Sequence, residues 1–249
     1  MTDHREETMS QTSRTAARFT GWSAILGGLL IYVTGALLLM VTGTDTDKVL
    51  RGAAMLTLPA EARNLFRGAM IADIFGFYLP ILVIAGYFWR SLAAEAGAYG
   101  YMAVLAMGFY VTVGVSGAAI QQAVIHPLTD LYAAAADSDK AMLAAVWTSV
   151  ANATQRGLWW SEGPAIFLWA LIVGSQLAKA GWRGAFLLKL VGWFAGMFFV
   201  FGLFPQLGAL TNACEMAIAG ILPIWMISFG WQLLSQAEKG VQSGRRRTV

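Results

Sequence analysis

The stretch GWSAILGGLLIYVTGALLLMVTG, residues 21–43, decides the fold class because it carries no charged residue over a length that can cross a bilayer. Five more stretches are long and mostly apolar: 69–89, 99–124, 163–178, 184–204 and 215–234. Backbone polar groups cannot stay unpaired in lipid, and these stretches are too long for barrel strands. The sequence therefore predicts an all-α integral membrane protein, a bundle of six transmembrane helices.

The composition agrees with a protein whose surface is covered mainly by lipid. Of the 249 residues, 57% are hydrophobic and only 12% are charged, whereas soluble domains carry about 25% charged residues. The net charge of +3 is small, so we expect no nucleic-acid partner. A single cysteine and two histidines exclude an internal disulfide and any site built from several histidines of one chain.

The chain divides into a polar cytoplasmic tail (1–20), a six-helix transmembrane domain (21–235) and a basic cytoplasmic tail (236–249). With six spans, both termini share one side of the membrane, and that side holds more Lys and Arg than the other. Positively charged segments stay in the cytoplasm. We therefore expect a multi-pass protein of a bacterial inner membrane with both termini cytoplasmic.

Two long connections are predicted to form short extra helices on the outer face. In the first, a helix over 48–55 is expected to begin after Asp45 or Asp47, and Pro59 is suited to start a helix that runs into the second span. In the second, the pair His126-Pro127 is expected to end the third helix.

The segment Arg63-Asn-Leu-Phe-Arg-Gly68, followed by Ala69-Met-Ile-Ala-Asp73, resembles the entry to the second span in one bacterial family. That family of six-span membrane proteins is known as domain of unknown function 4386. The basic entry to the first span, Ala17-Arg-Phe-Thr-Gly-Trp22, is also similar to the family's. The resemblance covers the first third of the chain and implies a six-span fold, but no particular activity.

Polar side chains gather at the predicted outer ends of four spans. These residues are Asp73, His126, Glu162 and Glu215, with Arg67 and Arg156 near enough to serve as ion-pair partners. One interpretation is that the carboxylates cap helix N-termini, where the helix dipole favours negative charge. The other is that they form an outer pocket for an ion or a small ligand, with Asp73 the deepest member, about one turn inside its span.

No catalytic or nucleotide-binding motif occurs in the sequence, so no catalytic residue is predicted and enzyme activity is disfavoured. We expect a non-catalytic membrane protein that binds a small ligand or lipid, or serves as an accessory subunit of other membrane proteins. The alternative is a membrane enzyme or transporter that uses the outer carboxylate and histidine cluster. No cofactor is predicted, apart from the alternative of a divalent metal at that cluster.

Overall fold

A computed structural model describes the backbone of residues 2–247 and the side chains of residues 13–90 and 96–238. The described residues form helices and no strands. The α-helices are α1 (Thr2–Thr42), α2 (Gly52–Leu56), α3 (Ala60–Asp73), α4 (Leu79–Ala96), α5 (Ala98–Ala134), α6 (Asp137–Asn152), α7 (Glu162–Lys179), α8 (Ala185–Gly202) and α9 (Gly208–Arg247). Short 3₁₀-helices cover Thr46–Leu50 and Pro205–Leu207, and π-helical turns cover Ile74–Tyr78 and Ala153–Trp159.

Five helical segments among the described residues are long and apolar enough to cross a membrane, so the chain is a multi-pass membrane protein. They are Ser13–Thr42, Ala60–Arg90, Ala98–Ala134, Ala185–Gly202 and Pro205–Glu238. Helix α7 is not one of them, because its 18 residues include Glu162, Gln176 and Lys179 and so offer no apolar stretch of the required length.

The long helices form a closed ring. Going round the ring, α1 packs against α9, α9 against α8, α8 against α7, and α7 against α5, while α3 and α4 together lie between α5 and α1. Helix α7 runs antiparallel to α8, since Gly163 faces Ala195 near one end and Gly174 faces Ala185 near the other. The ring encloses one large hydrophobic core, to which every one of these helices except α3 contributes.

Helices α3 and α4 form one continuous rod, interrupted only by the π-helical turn. The predicted start is early by one residue: Pro59 is the N-cap rather than the first helical residue, and Glu61 lies in the first turn. The π-turn has a cause in the sequence. Pro80 has no N–H to donate to the carbonyl of Gly76, and its ring would collide with that carbonyl in a regular α-helix. The backbone responds with longer-range bonds, such as that from Leu79 N–H to the carbonyl of Ile74.

The expected end of the third span at His126-Pro127 is wrong. Helix α5 passes through Pro127 and ends at Ala134. The extra turns bury Leu128 and Thr129, and Thr129 Oγ1 donates to the carbonyl of Ile125 over 2.6 Å. This packing offsets the hydrogen bond that the proline cannot make.

One end of the ring carries a cap, which we define as residues 46–58 and 137–152. Its centre is Trp147, which is fully buried, contacts Phe66 edge to face and donates from Nε1 to the carbonyl of Val49 over 2.8 Å. The backbone of Gly52 lies directly against that of Ala144. The cap therefore closes one end of the bundle with a second hydrophobic core.

The helix predicted over 48–55 is instead two short helices that meet at Arg51, whose backbone is extended. Asp45 is the N-cap of the first, as expected, but its side chain makes no capping hydrogen bond. It pairs with Arg51 instead. The Arg51 guanidinium holds the pKa of the Asp45 carboxyl below its ordinary value.

Candidate functional site

A cavity of about 450 Å³ lies inside the ring, toward the end that carries the cap. Its walls come from α1, α3, α5, α7, α8, α9 and both π-helical turns. Most lining side chains are apolar, for example Ile31, Phe77, Ile166 and Phe198. The polar lining residues include three acids and three tyrosines, namely Asp73, Glu162, Glu215, Tyr32, Tyr78 and Tyr110. No Lys, Arg or His is found among the described residues that line it.

Asp73 is the most unusual group of the cavity. Its residue is only 7% exposed, and its Oδ2 atom is buried without a hydrogen-bond partner among the described residues. A buried polar atom left unpaired costs about 1–3 kcal/mol, and an unpaired buried charge costs several. Because the surrounding walls supply no cation, Asp73 requires a proton or a cationic ligand.

Glu162, in the first turn of α7, is also buried and is 8% exposed. Tyr78 donates from its hydroxyl to Glu162 Oε1 over 3.1 Å, and Tyr110 donates to the carbonyl of Phe77 over 3.2 Å. The two tyrosine rings lie 5.1 Å apart, centroid to centroid. The cavity thus combines carboxyl groups with two tyrosine side chains.

The π-helical turns explain how these side chains meet. Residues five apart in an α-helix point about 140° away from each other. In the π-turn over 74–78, bonds run from residue i+5 to residue i, which turns Tyr78 toward the face that Asp73 occupies. Both residues consequently line the cavity. The second π-turn ends just before Glu162 and supplies Trp159, whose Nε1 donates to the carbonyl of Gly114 over 3.2 Å.

Asp73 lies deeper in its helix than expected. The prediction placed it one turn inside a span that starts near residue 69, whereas α3 begins at Ala60 and Asp73 ends its fourth turn. Contacts of neighbouring residues with α1 show how far along the bundle Asp73 lies. A Cβ on Gly68 would lie 3.6 Å from Leu37, and one on Gly76 would lie 2.9 Å from the backbone nitrogen of Ile31. Asp73 is therefore level with the middle of the uncharged stretch of α1.

The third acid, Glu215, lies on α9 and is exposed at the edge of the cavity. The structure thus brings Asp73, Glu162 and Glu215 to one cavity. Of the three, only Glu162 lies in the first turn of its helix. Helix capping can therefore explain Glu162, but not Asp73 at the end of α3 or Glu215 in the interior of α9.

His126 is not brought to the cavity. It is half-buried on α5, and its Nε2 atom has no partner among the described residues. The two arginines are elsewhere as well. Arg156 pairs with Asp47 over 3.9 Å, and Arg67 is exposed and outside the cavity lining. Neither of the two predicted arginine partners therefore lines the cavity with the acids.

No three His, Cys, Asp or Glu residues in the described part of the chain are placed to hold a metal ion. The acids of the cavity come from three separate helices and share it with the tyrosines. The arrangement is better suited to an organic ligand, which makes a few polar contacts inside an apolar wall.

Sequence reasoning missed Tyr78 and Tyr110. A signal was present, because tyrosines in membrane proteins concentrate near the interfaces, whereas both of these lie well inside their spans.

Comparison with protein-family models, with curated proteins and with solved structures finds no match.

Proposed function

We propose that this chain is a multi-pass membrane protein that binds a small ligand in the cavity beside Asp73, without catalysing a reaction on it. The observation that carries the proposal is the buried Oδ2 atom of Asp73, which has no partner among the described residues and belongs to a side chain that lines the cavity. Such an atom is costly in a purely structural role, and an intramembrane acid is a functional candidate by default.

The size of the cavity supports this function. A volume of about 450 Å³ lies within the range of about 300–1,000 Å³ that is typical of ligand pockets. Its mixture of apolar walls with a few convergent polar groups is typical of such pockets too.

A cavity-filling substitution tests binding. Ala219→Trp would fill the cavity from α9, whereas Ala213→Trp places the same side chain on an exposed part of the same helix. After purification in a mild detergent, native mass spectrometry is expected to detect a bound small molecule on the wild type and on Ala213→Trp, but not on Ala219→Trp. A wild type without any bound molecule, or equal retention by both variants, would contradict the proposal. Ala36→Trp, at the edge of the cavity, is a second filling variant.

Transport is the second candidate, because transporters hold their substrates near the middle of the membrane and Asp73 is level with the middle of α1. Uptake of the cation ethidium into proteoliposomes under a proton gradient separates the two functions. Uptake faster than in empty liposomes, and lost in Asp73→Asn, would favour transport over simple binding. The enzyme branch of the alternative is weaker, because His126 is not among the lining residues.

The proposal includes six membrane spans, with both termini in the cytoplasm of a bacterial cell and the cap on the outer face of the inner membrane. The antiparallel packing of α7 along the whole of α8 supports a sixth span, because α8 is itself long and apolar enough to cross. Membrane lipids would surround the ring. In an accessory role, the chain would also bind other membrane subunits. The resemblance to the six-span family remains a prediction from its short motif.

The orientation can be tested with single cysteines in a Cys214→Ala background. Ser138 in the cap and Ala180 after α7 are both exposed, and the six-span arrangement puts them on opposite sides of the membrane. In intact spheroplasts, an impermeant maleimide is expected to label Ser138→Cys at once and Ala180→Cys only after lysis. Equal labelling of the two would mean that α7 does not cross, and the reverse pattern would mean that the orientation is inverted.

A further inference from the structure

The contact between α1 and α9 is tight along one half of its length. A Cβ on Gly28 would lie 2.9 Å from the carbonyl oxygen of Pro223, and one on Gly21 would lie 2.8 Å from Leu234. The backbones of Gly21 and Gly230 are also in direct contact. Small residues let the two helices approach closely here, so no route into the ring passes between them in this half.

The other half of the same contact is open. A Cβ on Gly35 of α1 or on Gly220 of α9 would meet no heavy atom within 4 Å. Tyr32 bridges the two helices at this level, since its hydroxyl donates to the carbonyl of Gly220 over 3.4 Å. Beyond this hydrogen bond, exposed residues of both helices line the cavity, which indicates a cleft between them.

The cleft leads into the cavity. Five of the residues that line the cavity are exposed, and all five belong to α1 or α9: Tyr32, Gly35, Ala36, Glu215 and Met216. The lining residues from the other helices are buried or half-buried. Because this part of α1 belongs to its uncharged stretch, the cleft opens toward the apolar layer of the membrane.

The chemistry along this route favours a positively charged, hydrophobic ligand. A molecule that enters meets Glu215 at the mouth, then Asp73 and Glu162 inside, and no basic side chain among the described lining residues. Tyr78 and Tyr110, which also line the cavity, add aromatic rings that can attract a cation. A phospholipid with an amine head group fits poorly, because its phosphate would lie beside the same acids.

We infer that the cavity takes a lipid-soluble amine directly from the membrane through the cleft between α1 and α9, with its protonated nitrogen at Asp73. This inference rests on the proposed binding function and adds the class of ligand and the route of entry. The amine nitrogen would donate to the carboxyl of Asp73, and the apolar body would contact the walls of the cavity.

Two photoreactive probes of equal length test the ligand class: dodecylamine and 1-dodecanol, each with a diazirine in its chain. The full-length protein in liposomes is irradiated with each probe, and labelled peptides are mapped by mass spectrometry. The amine is expected to label peptides that contain residues 31–38 and 215–219 at least about tenfold more than the alcohol, since charge-assisted hydrogen bonds are about twice as strong as neutral ones. Asp73→Asn should remove that preference, with Glu162→Gln as a second variant.

The route is tested by Gly35→Leu, which adds an apolar side chain to the cleft and replaces no acid. Gly108→Leu on α5 is the matched control, since its added side chain also meets open space but lies away from the cavity. Amine labelling is expected to slow several-fold in Gly35→Leu and to match the wild type in Gly108→Leu.

The outcomes separate the two proposals. Equal labelling by amine and alcohol, an unchanged preference in Asp73→Asn, or unchanged labelling rates in Gly35→Leu would overturn the inference while ligand binding stands. If neither probe labels the cavity peptides of the wild type and no bound molecule is found by native mass spectrometry, the binding function fails with it.

Discussion

Replacing Asp73 with leucine is expected to stabilise the protein and to abolish ligand binding. The substitution removes a buried, unpartnered oxygen and puts an apolar side chain of similar size into an apolar wall. Relief of the unpaired atom amounts to about 1–3 kcal/mol in the free energy of unfolding. For a chain of this length, each kcal/mol of added stability raises the midpoint temperature of thermal unfolding by about 2–4 °C. Thermal unfolding in detergent, followed by tryptophan fluorescence, measures the shift.

Gln121→Leu is the matched control, because Gln121 is equally inaccessible but its polar atoms are satisfied. Its Nε2 donates to Thr154 Oγ1 over 2.9 Å, and its Oε1 accepts from Gln155 over 3.4 Å. Removing one side of such a network leaves partners unpaired, so Gln121→Leu should lower the midpoint. If Asp73→Leu lowers it as well, Asp73 holds the bundle together and the case for a binding site is lost.

Gly114→Ala is expected to cost about 1–3 kcal/mol of stability, the usual range for overpacking a core. A Cβ at Gly114 would run into the ring of Tyr78, which is held between Tyr110 and Glu162. The ring must move, so the hydrogen bond to Glu162 should be disturbed and ligand retention should fall. Denaturation in a mixed-detergent series measures the loss of stability.

Two controls separate this collision from a general helix effect. Gly108→Ala lies on the same helix in open space and should be neutral or slightly stabilising, by up to about 1 kcal/mol. In a Tyr78→Ala background, Gly114→Ala should lose most of its cost, because the colliding ring is gone. If Gly114→Ala lowers the stability equally in both backgrounds, a collision with the Tyr78 ring is not the cause of the loss.

Much of the fold could be predicted from the sequence because the signal is simple. A long uncharged stretch in lipid has few alternatives to a helix. Pro59 predicted, to within one residue, where the rod of α3 and α4 begins. The ends of helices were harder. His126-Pro127 favours termination locally, but packing of Leu128 against the cap carries α5 on to Ala134.

The candidate site was only partly predictable. Three acids in or near the spans are rare enough to stand out, and Asp73, Glu162 and Glu215 do share one cavity. The position of Tyr78 depends on the π-turn over 74–78. Pro80 indicates that the helix is disturbed nearby, but a proline alone does not predict the bonding pattern that turns Tyr78 toward Asp73. His126 was grouped with the acids from its place at a span end alone, because sequence gives the height of a residue on its helix better than the direction in which it faces.

The central claim is that Asp73 meets a ligand inside the ring, and an experimental structure of the protein crystallised from a lipid mesophase tests it most directly. The account predicts density for an elongated molecule in the cavity, with a polar atom within hydrogen-bonding distance of the Asp73 carboxyl and its chain directed toward the cleft between α1 and α9. A cavity collapsed by its own side chains, or an Asp73 carboxyl paired with an arginine of the chain, would contradict the account.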